Sequence, residues 1–382
     1  MGTIKRTFAN SLTGTGKLSA TNLDSNIPAA NIADASVTNV TTLPESIGQA
    51  IKSVAGSPPS QAVGDIWYNS VTGTLKNYTT IASTFSSGGT RNTVGNDECG
   101  SGTLTAGIAF GGGRNPNSPN TGGLPTQAIT EEYDGGSWTA GGSMSTGRVT
   151  FGGGGTQTAA LAFGGRITNN PFTYTNATEE YNGSAWTGGG NLGSTHYYMN
   201  RSGAGTQTAG VSVGGIIIGS PGVNNKTEEY DGSAWTTVNN MVATSLRHVF
   251  IGTQTAAILT SSIPGGSSTA VYDYDGTSWT TNAASNNGAK TGRMGFGTTS
   301  SALLLGGSPY SPTASELWDG TSFSNDASYA TERANGSSSN TSPSSSSGYM
   351  TGGVNSTTPG TALSSTEEYT GAFNAIRTVT TS

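Results

Sequence analysis

The residues able to do chemistry are few and scattered. The chain has two histidines, His196 and His248, and one cysteine, Cys99. A metal site needs three or four such groups brought together. No spaced ligand set can be read around them, although Tyr197 and Tyr198 adjoin the first histidine. Paired carboxylates recur as Glu131-Glu132, Glu179-Glu180, Glu228-Glu229 and Glu367-Glu368. Two carboxylates acting across one bond are the machinery of glycoside hydrolysis. Neighbours on a strand, however, point to opposite faces, so each pair is read as architecture. Arg91, Arg148, Arg247, Arg293 and Arg333 recur at the start of a strand, with His196 once in that slot. Their expected work is to hold adjacent repeats through backbone carbonyls. The Asp and Asn turns offer no spaced calcium ligands. What remains is binding: Arg114, Phe172, Tyr174 and Tyr310 lie on long loops and are the candidate ligand-facing residues, the aromatics as surfaces for a sugar.

These residues are placed by a repeat. TQTAALAFGG (156–165) followed by ATEEYNGSAW (177–186) recurs as TQTAGVSVGG (206–215) with TEEYDGSAW (227–235), and as TLTAGIAFGG (103–112) with TEEYDGGSW (130–138). Weaker copies are AVYDYDGTSW (270–279), ALLLGG with SELWDGTSF (302–323), and YMTGG with TEEYTGAF (349–373). Glycine pairs start at 111, 164, 214, 306 and 352, and a degenerate copy near Ser261 fills the gap. The spacing of about 45 to 53 residues is that of a four-stranded propeller blade. Small residues alternating with apolar ones suit the crowded inner strands a and b. The glycine pair ending strand b permits φ > 0 in the turn that follows. Asx-Gly between strands c and d is a tight-hairpin signal, and the flanking Tyr and Trp should pair in the wider outer gap. The loops joining b to c are long and varied, and a ligand is expected on their face.

Composition agrees. Gly is 59 of 382 residues and charged residues are 10%, against roughly 25% in average proteins. Such a composition could mean disorder, but here the glycines keep register with aromatic and β-branched residues. A net charge of −6 argues against a nucleic-acid surface. A single cysteine leaves no internal disulfide, and no apolar run is long enough to span a membrane. A signal peptide is not recognisable. The expectation is a soluble protein made in a cytoplasm, with no cofactor.

Two domains are expected: an extended arm over 1–60, ending in a short amphipathic helix over 44–54, and a propeller over 61–382. The hairpin GDIWYNSVTGTLKNYT (64–79) and Phe85 supply three strands of a blade, and Arg377 to Ser382 supplies the missing strand a. That predicts seven blades, closed by N- and C-terminal strands in one sheet. Six blades with the hairpin as an outer flap is the alternative.

Glycine pair, Tyr, then Trp, in four-stranded units, resembles kelch repeats. The wording GTQTAxLxFGG…TEEYxGSxW after a GDIWYNSxTGxLKxY hairpin and an Asn/Thr-rich arm resembles kelch-like virion proteins of tailed, notably marine, bacteriophages. The resemblance implies a kelch-type β-propeller and a non-enzymatic structural protein of the tail or fibre. It implies assembly in the host cytoplasm, other virion proteins as partners through the arm, and several copies per particle. Host surface glycan is the alternative partner, with the propeller as a receptor-binding module. Some kelch propellers are copper radical oxidases, which require two histidines, an axial tyrosine and a Tyr–Cys cross-link. That set is not recognisable around His196, His248 and Cys99.

Overall fold

The computed structural model describes residues 52–113, 126–198, 204–263, 266–284, 288, 290–308, 313–355 and 361–379. Arg114, Tyr310 and the arm up to residue 51 lie outside the described residues. By contacts the chain forms two units, Met1–Ala82 with Ala372–Ser382, and Ser83–Gly371. The division falls later than the boundary expected at residue 60, and it assigns the C-terminal strand to the N-terminal unit.

Among the described residues all regular structure is strand. In the first unit, Ile66–Asn69 and Thr74–Ile81 form the expected hairpin. Phe373–Thr378 pairs antiparallel with Thr74–Ile81, as in Tyr78↔Ile376 and Ile81↔Phe373. On the other edge Lys52–Val54 runs parallel to Trp67–Asn69. The helix expected over 44–54 therefore does not reach its last three residues. A short amphipathic stretch is a marginal helix, and the open hairpin edge offers its backbone hydrogen-bond partners. The expected C-terminal strand starts at Phe373 instead of Arg377 and sits at an edge.

The second unit holds six four-stranded antiparallel sheets. In sequence order the inner strands are Cys99–Thr103, Gly152–Thr156, Ala204–Thr206, Val249–Thr253, Met294–Thr298 and Ser337–Ser338. Each contacts the next, and the sixth contacts the first. Both glycines of all five pairs have positive φ, for example Gly111 at 68° and Gly112 at 88°. The outer strand of the sixth sheet is not its own continuation but Thr84–Ser87, which pairs with Thr366–Thr370 through Tyr369↔Phe85. Phe85 packs on Tyr369 at 5.0 Å and edge-on to Tyr329 at 5.8 Å, in the slot where the first four sheets carry Trp and the fifth carries Phe323. The strand expected in the N-terminal blade thus completes the last repeat, and Phe373, expected there, belongs to the first unit.

The inner strands meet in a cycle of backbone hydrogen bonds. Asn335 N–H donates to Gly292 O, Gly292 to Arg247, Arg247 to Tyr198, Tyr198 to Thr150, Thr150 to Asp97, and Asp97 back to Asn335, at 2.8–3.3 Å. All six residues have left-handed φ, between 51° and 69°. This cycle sets the repeat register. Arg148, His196 and Arg333 stand two residues before their cycle members, where the fourth and fifth sheets carry Ser245 and Lys290. Arg247, expected to match Arg148, is itself a cycle member, and Arg293 follows one.

Near the other end of the inner strands the low-complexity insert of 337–348 is ordered and largely buried, with Ser339 and Asn340 at 0% exposure. The Thr341 hydroxyl accepts from Gly102 N–H at 2.8 Å and donates to Gly155 O at 2.6 Å, tying the sixth sheet to the first and second. Replacing Phe85 with Ala should lower unfolding stability by roughly 2–3 kcal/mol, measured by urea denaturation. An unchanged midpoint would exclude Thr84–Ser87 from the folded sixth sheet.

Candidate functional site

Each letter of the repeat's TEEY…W has a partner. The Trp indole N–H donates to the Thr of the preceding sheet: Trp186 to Thr130 at 2.9 Å, Trp235 to Thr178 at 2.9 Å, Trp279 to Thr227 at 3.1 Å, and Trp138 to Thr366 at 2.9 Å. The Tyr hydroxyl donates to the second Glu of the preceding sheet: Tyr181 to Glu132 at 2.6 Å, Tyr274 to Glu229 at 2.7 Å, and likewise Tyr230 to Glu180 and Tyr133 to Glu368. Burial, then the accepting carboxylate, pushes the Tyr133, Tyr181 and Tyr230 hydroxyls up to about 12. Tyr and Trp of one sheet stack at 4.7–5.1 Å. The Gln of GTQT spans the same seam: Gln157 Nε2 donates to Gly107 O at 3.1 Å and Tyr133 O at 2.9 Å.

The first Glu of each pair is buried and turned to its own sheet. Arg148 bonds Glu179 and the carbonyls of Gly164 and Ala177, at 3.2 and 3.0 Å. Arg333 does the same with Glu367, Gly352 and Ser365. Arg91 lies between Glu131 (2.8 Å) and Glu98 (2.5 Å), and Arg293 reaches Glu316 at 3.1 Å. Burial pushes Arg148 and Arg333 below the usual guanidinium value and the Glu carboxylates partly restore it. The expected carbonyl contacts are made, within a sheet instead of between sheets.

The histidines are interior groups. His196 Nε2 stands 3.5 Å from Glu228, whose nearer cation is Lys226 at 3.1 Å. Burial, with the Lys226 charge, pushes His196 down to about 4, so at neutral pH the imidazole is uncharged and Lys226 supplies the ion pair. His248 faces Ser245 Oγ at 3.2 Å, and burial pushes it down to about 3. Cys99 is buried in an apolar cluster with Phe110 and Phe151. Among the described residues no three His, Cys, Asp or Glu side chains stand together as a metal site would require.

A different cluster assembles from three sheets. The loop after the second sheet's glycine pair folds as a hairpin, Arg166–Asn169 against Phe172–Tyr174. It sets the Arg166 guanidinium 4.9 Å from the Phe172 ring centre. Tyr174 packs on Tyr197 at 4.5 Å, and Tyr197 on Tyr198 at 4.8 Å. Arg247, from the fourth sheet, lies 4.5 Å over Tyr198. Tyr197 and Tyr198 enter the third sheet, and the hydrogen-bond cycle fixes Tyr198 and Arg247 as neighbours. Phe172 is 48% exposed, and the other five residues are half-buried. Of the sequence candidates, Phe172 and Tyr174 join this cluster; Arg114 and Tyr310 lie outside the described residues. Arg166, Tyr197, Tyr198 and Arg247 were not among the sequence candidates. Tyr197-Tyr198 beside a long loop was the available signal.

These features define an all-β, propeller-like protein. No protein-family model matches the chain, and a search of curated proteins finds no match. Solved structures do match, 229 chains among them. The structure of YjhT, 13% identical, aligns over 75% of this chain and 99% of that chain with a TM-score of 0.59. At that identity the likeness shows the fold alone.

Removing the Glu179 carboxylate (Glu179→Ala) should cost about 3–5 kcal/mol by stranding Arg148. Tyr181→Phe should cost about 1 kcal/mol for one seam hydrogen bond. Denaturation midpoints check both. The histidines predict acid sensitivity. Their folded values lie below the unfolded 6.5, so the unfolded chain binds more protons and stability falls as pH drops from about 6.5 toward 4. For His196 the loss is on the order of 3 kcal/mol. Comparing unfolding at pH 7.5 and 4.5, His196→Gln should show a smaller loss than wild type.

Proposed function

We propose that this chain is a non-enzymatic structural protein of a tailed-bacteriophage particle, with residues 1–60 docking on other virion proteins and Ser83–Gly371 forming a rigid interaction module. The module is read as a six-bladed kelch-type propeller. Six sheets, the contact of the sixth inner strand with the first, and the six-membered hydrogen-bond cycle all support that count over seven. One observation carries the structural role: the polar groups that recur in the repeat are engaged in holding sheets together. Residues that might have served as paired carboxylates or arginine clamps are thereby committed to rigidity. The virion setting rests on the resemblance of the repeat, hairpin and arm wording to phage kelch-like proteins.

The aromatic and arginine cluster favours a second, compatible reading. The module also contacts host surface glycan through the face carrying Phe172 and Tyr174. Deleting residues 1–60 should abolish incorporation into particles while the remaining protein keeps a wild-type circular dichroism spectrum. Normal incorporation of the shortened chain would refute the docking role. The recombinant full chain should block adsorption of the phage to its host; intact adsorption at saturating protein would remove the receptor reading and leave the structural one.

A further inference from the structure

Within Ser83–Gly371, four of the six described arginines, Arg91, Arg148, Arg293 and Arg333, pair with carboxylates. The remaining two, Arg166 and Arg247, are held against aromatic rings instead. Both belong to the one cluster, where rings of the second and third repeats meet an arginine of the fourth. The chain as a whole carries −6, so acidic side chains are not scarce. In the fourth sheet the place of the first Glu is taken by Tyr272, paired opposite Leu259, and Arg247 has left the buried position for the cycle. Repeat logic would neutralise an arginine here, and this site departs from it.

From this we infer that the cluster is a subsite for a carboxylated sugar chain, with Arg166 and Arg247 as the groups that recognise the acid. The inference rests on the glycan-binding reading and narrows its ligand. A guanidinium held over a ring is partly desolvated and restricted in rotation, and its N–H groups can make a two-pronged contact with a carboxylate. The apolar C–H face of a pyranose stacks on exposed aromatic rings, for which the half-exposed Phe172 and the Tyr174–Tyr197–Tyr198 row offer a run of surfaces. Tyr hydroxyls can bond sugar hydroxyls. Burial and then the Tyr174 hydroxyl hold Tyr197 above the usual phenol value, so its hydroxyl stays neutral and does not repel an acid. The combination selects a sugar that is both stackable and anionic. A neutral glycan would leave two cations unanswered, and a flexible acidic peptide would not use the rings.

The test uses the recombinant full chain with tri-galacturonate, the neutral galactose trimer, sialyllactose and poly-glutamate, read by calorimetry. At least one of the two acidic sugars should bind roughly tenfold or more tighter than the neutral trimer, and its affinity should fall as salt rises. Arg247→Gln and Arg166→Gln should each weaken that binding about tenfold, the scale of one charge-assisted hydrogen bond, with unfolding midpoints matching wild type. Arg166 sits on a hairpin loop, so its variant keeps the test open if Arg247→Gln perturbs the cycle. Equal affinity for the neutral trimer, no binding of either acidic sugar, indifference to both substitutions, or equally tight binding of poly-glutamate would each overturn the inference. If the chain blocks host adsorption and yet binds only neutral sugar, the receptor reading survives and the acidic ligand fails. If adsorption is not blocked and no sugar binds, both fail.

Discussion

A hydroxyl or an indole N–H sealed between two sheets has no water to fall back on, so each sheet must hand its donors to acceptors on the sheet before it. That constraint organises the second unit. Trp186 needs Thr130, Tyr181 needs Glu132, and Gln157 needs the carbonyls of Gly107 and Tyr133. The geometry leaves little slack: a Cβ on Gly142 would lie 2.0 Å from Ser184 O in the following sheet. A change at one position therefore calls for a change at its partner. The seam between the fourth and fifth sheets illustrates this. Phe323 stands where other sheets have Trp, and Val271 where they have Thr, so donor and acceptor are lost together and an apolar cluster with Trp318 and Leu304 takes their place. Ser315, which faces a Phe85 without an N–H, turns its hydroxyl to Ala327 O at 2.7 Å.

The same constraint explains what was readable in advance. TEEY, Asx-Gly and the glycine pair are local words with local geometry: the Asp134 carboxylate accepts from Gly136 and Ser137 N–H at 2.8 and 2.7 Å, as an Asx turn should. The outcome at Phe85 and Phe373 was not local. Both follow the repeat's spacing, and only the packing of Phe85 between Tyr329 and Tyr369 decides which enters the sixth sheet. The arginine register failed similarly, because Arg247 belongs to a cycle defined by left-handed backbone conformation, which its residue type does not announce. The serine-rich insert reads as low complexity, but its hydroxyls find backbone partners and its segment is buried.

The binding cluster was half legible for a related reason. Phe172 and Tyr174 stand out because they interrupt a polar loop. Tyr197, Tyr198 and Arg247 come from other repeats, and their meeting depends on how neighbouring sheets pack on one another. An array of near-identical units conceals such a site from any reading of one unit at a time. The exceptional residues matter where they converge.

Thr84–Ser87 comes first among the strands of the six sheets and pairs with the last of the repeats. During synthesis it leaves the ribosome before any of the six sheets exists, and its partner Thr366–Thr370 follows only after the other five have been made. Until then it stays an open edge, of the kind that invites pairing with another chain. The array can thus fold sheet by sheet, but its final junction waits until Thr366–Thr370 has been made. A chain cut short before Thr366 would carry an unpaired strand at its front and an uncovered sheet face at its back.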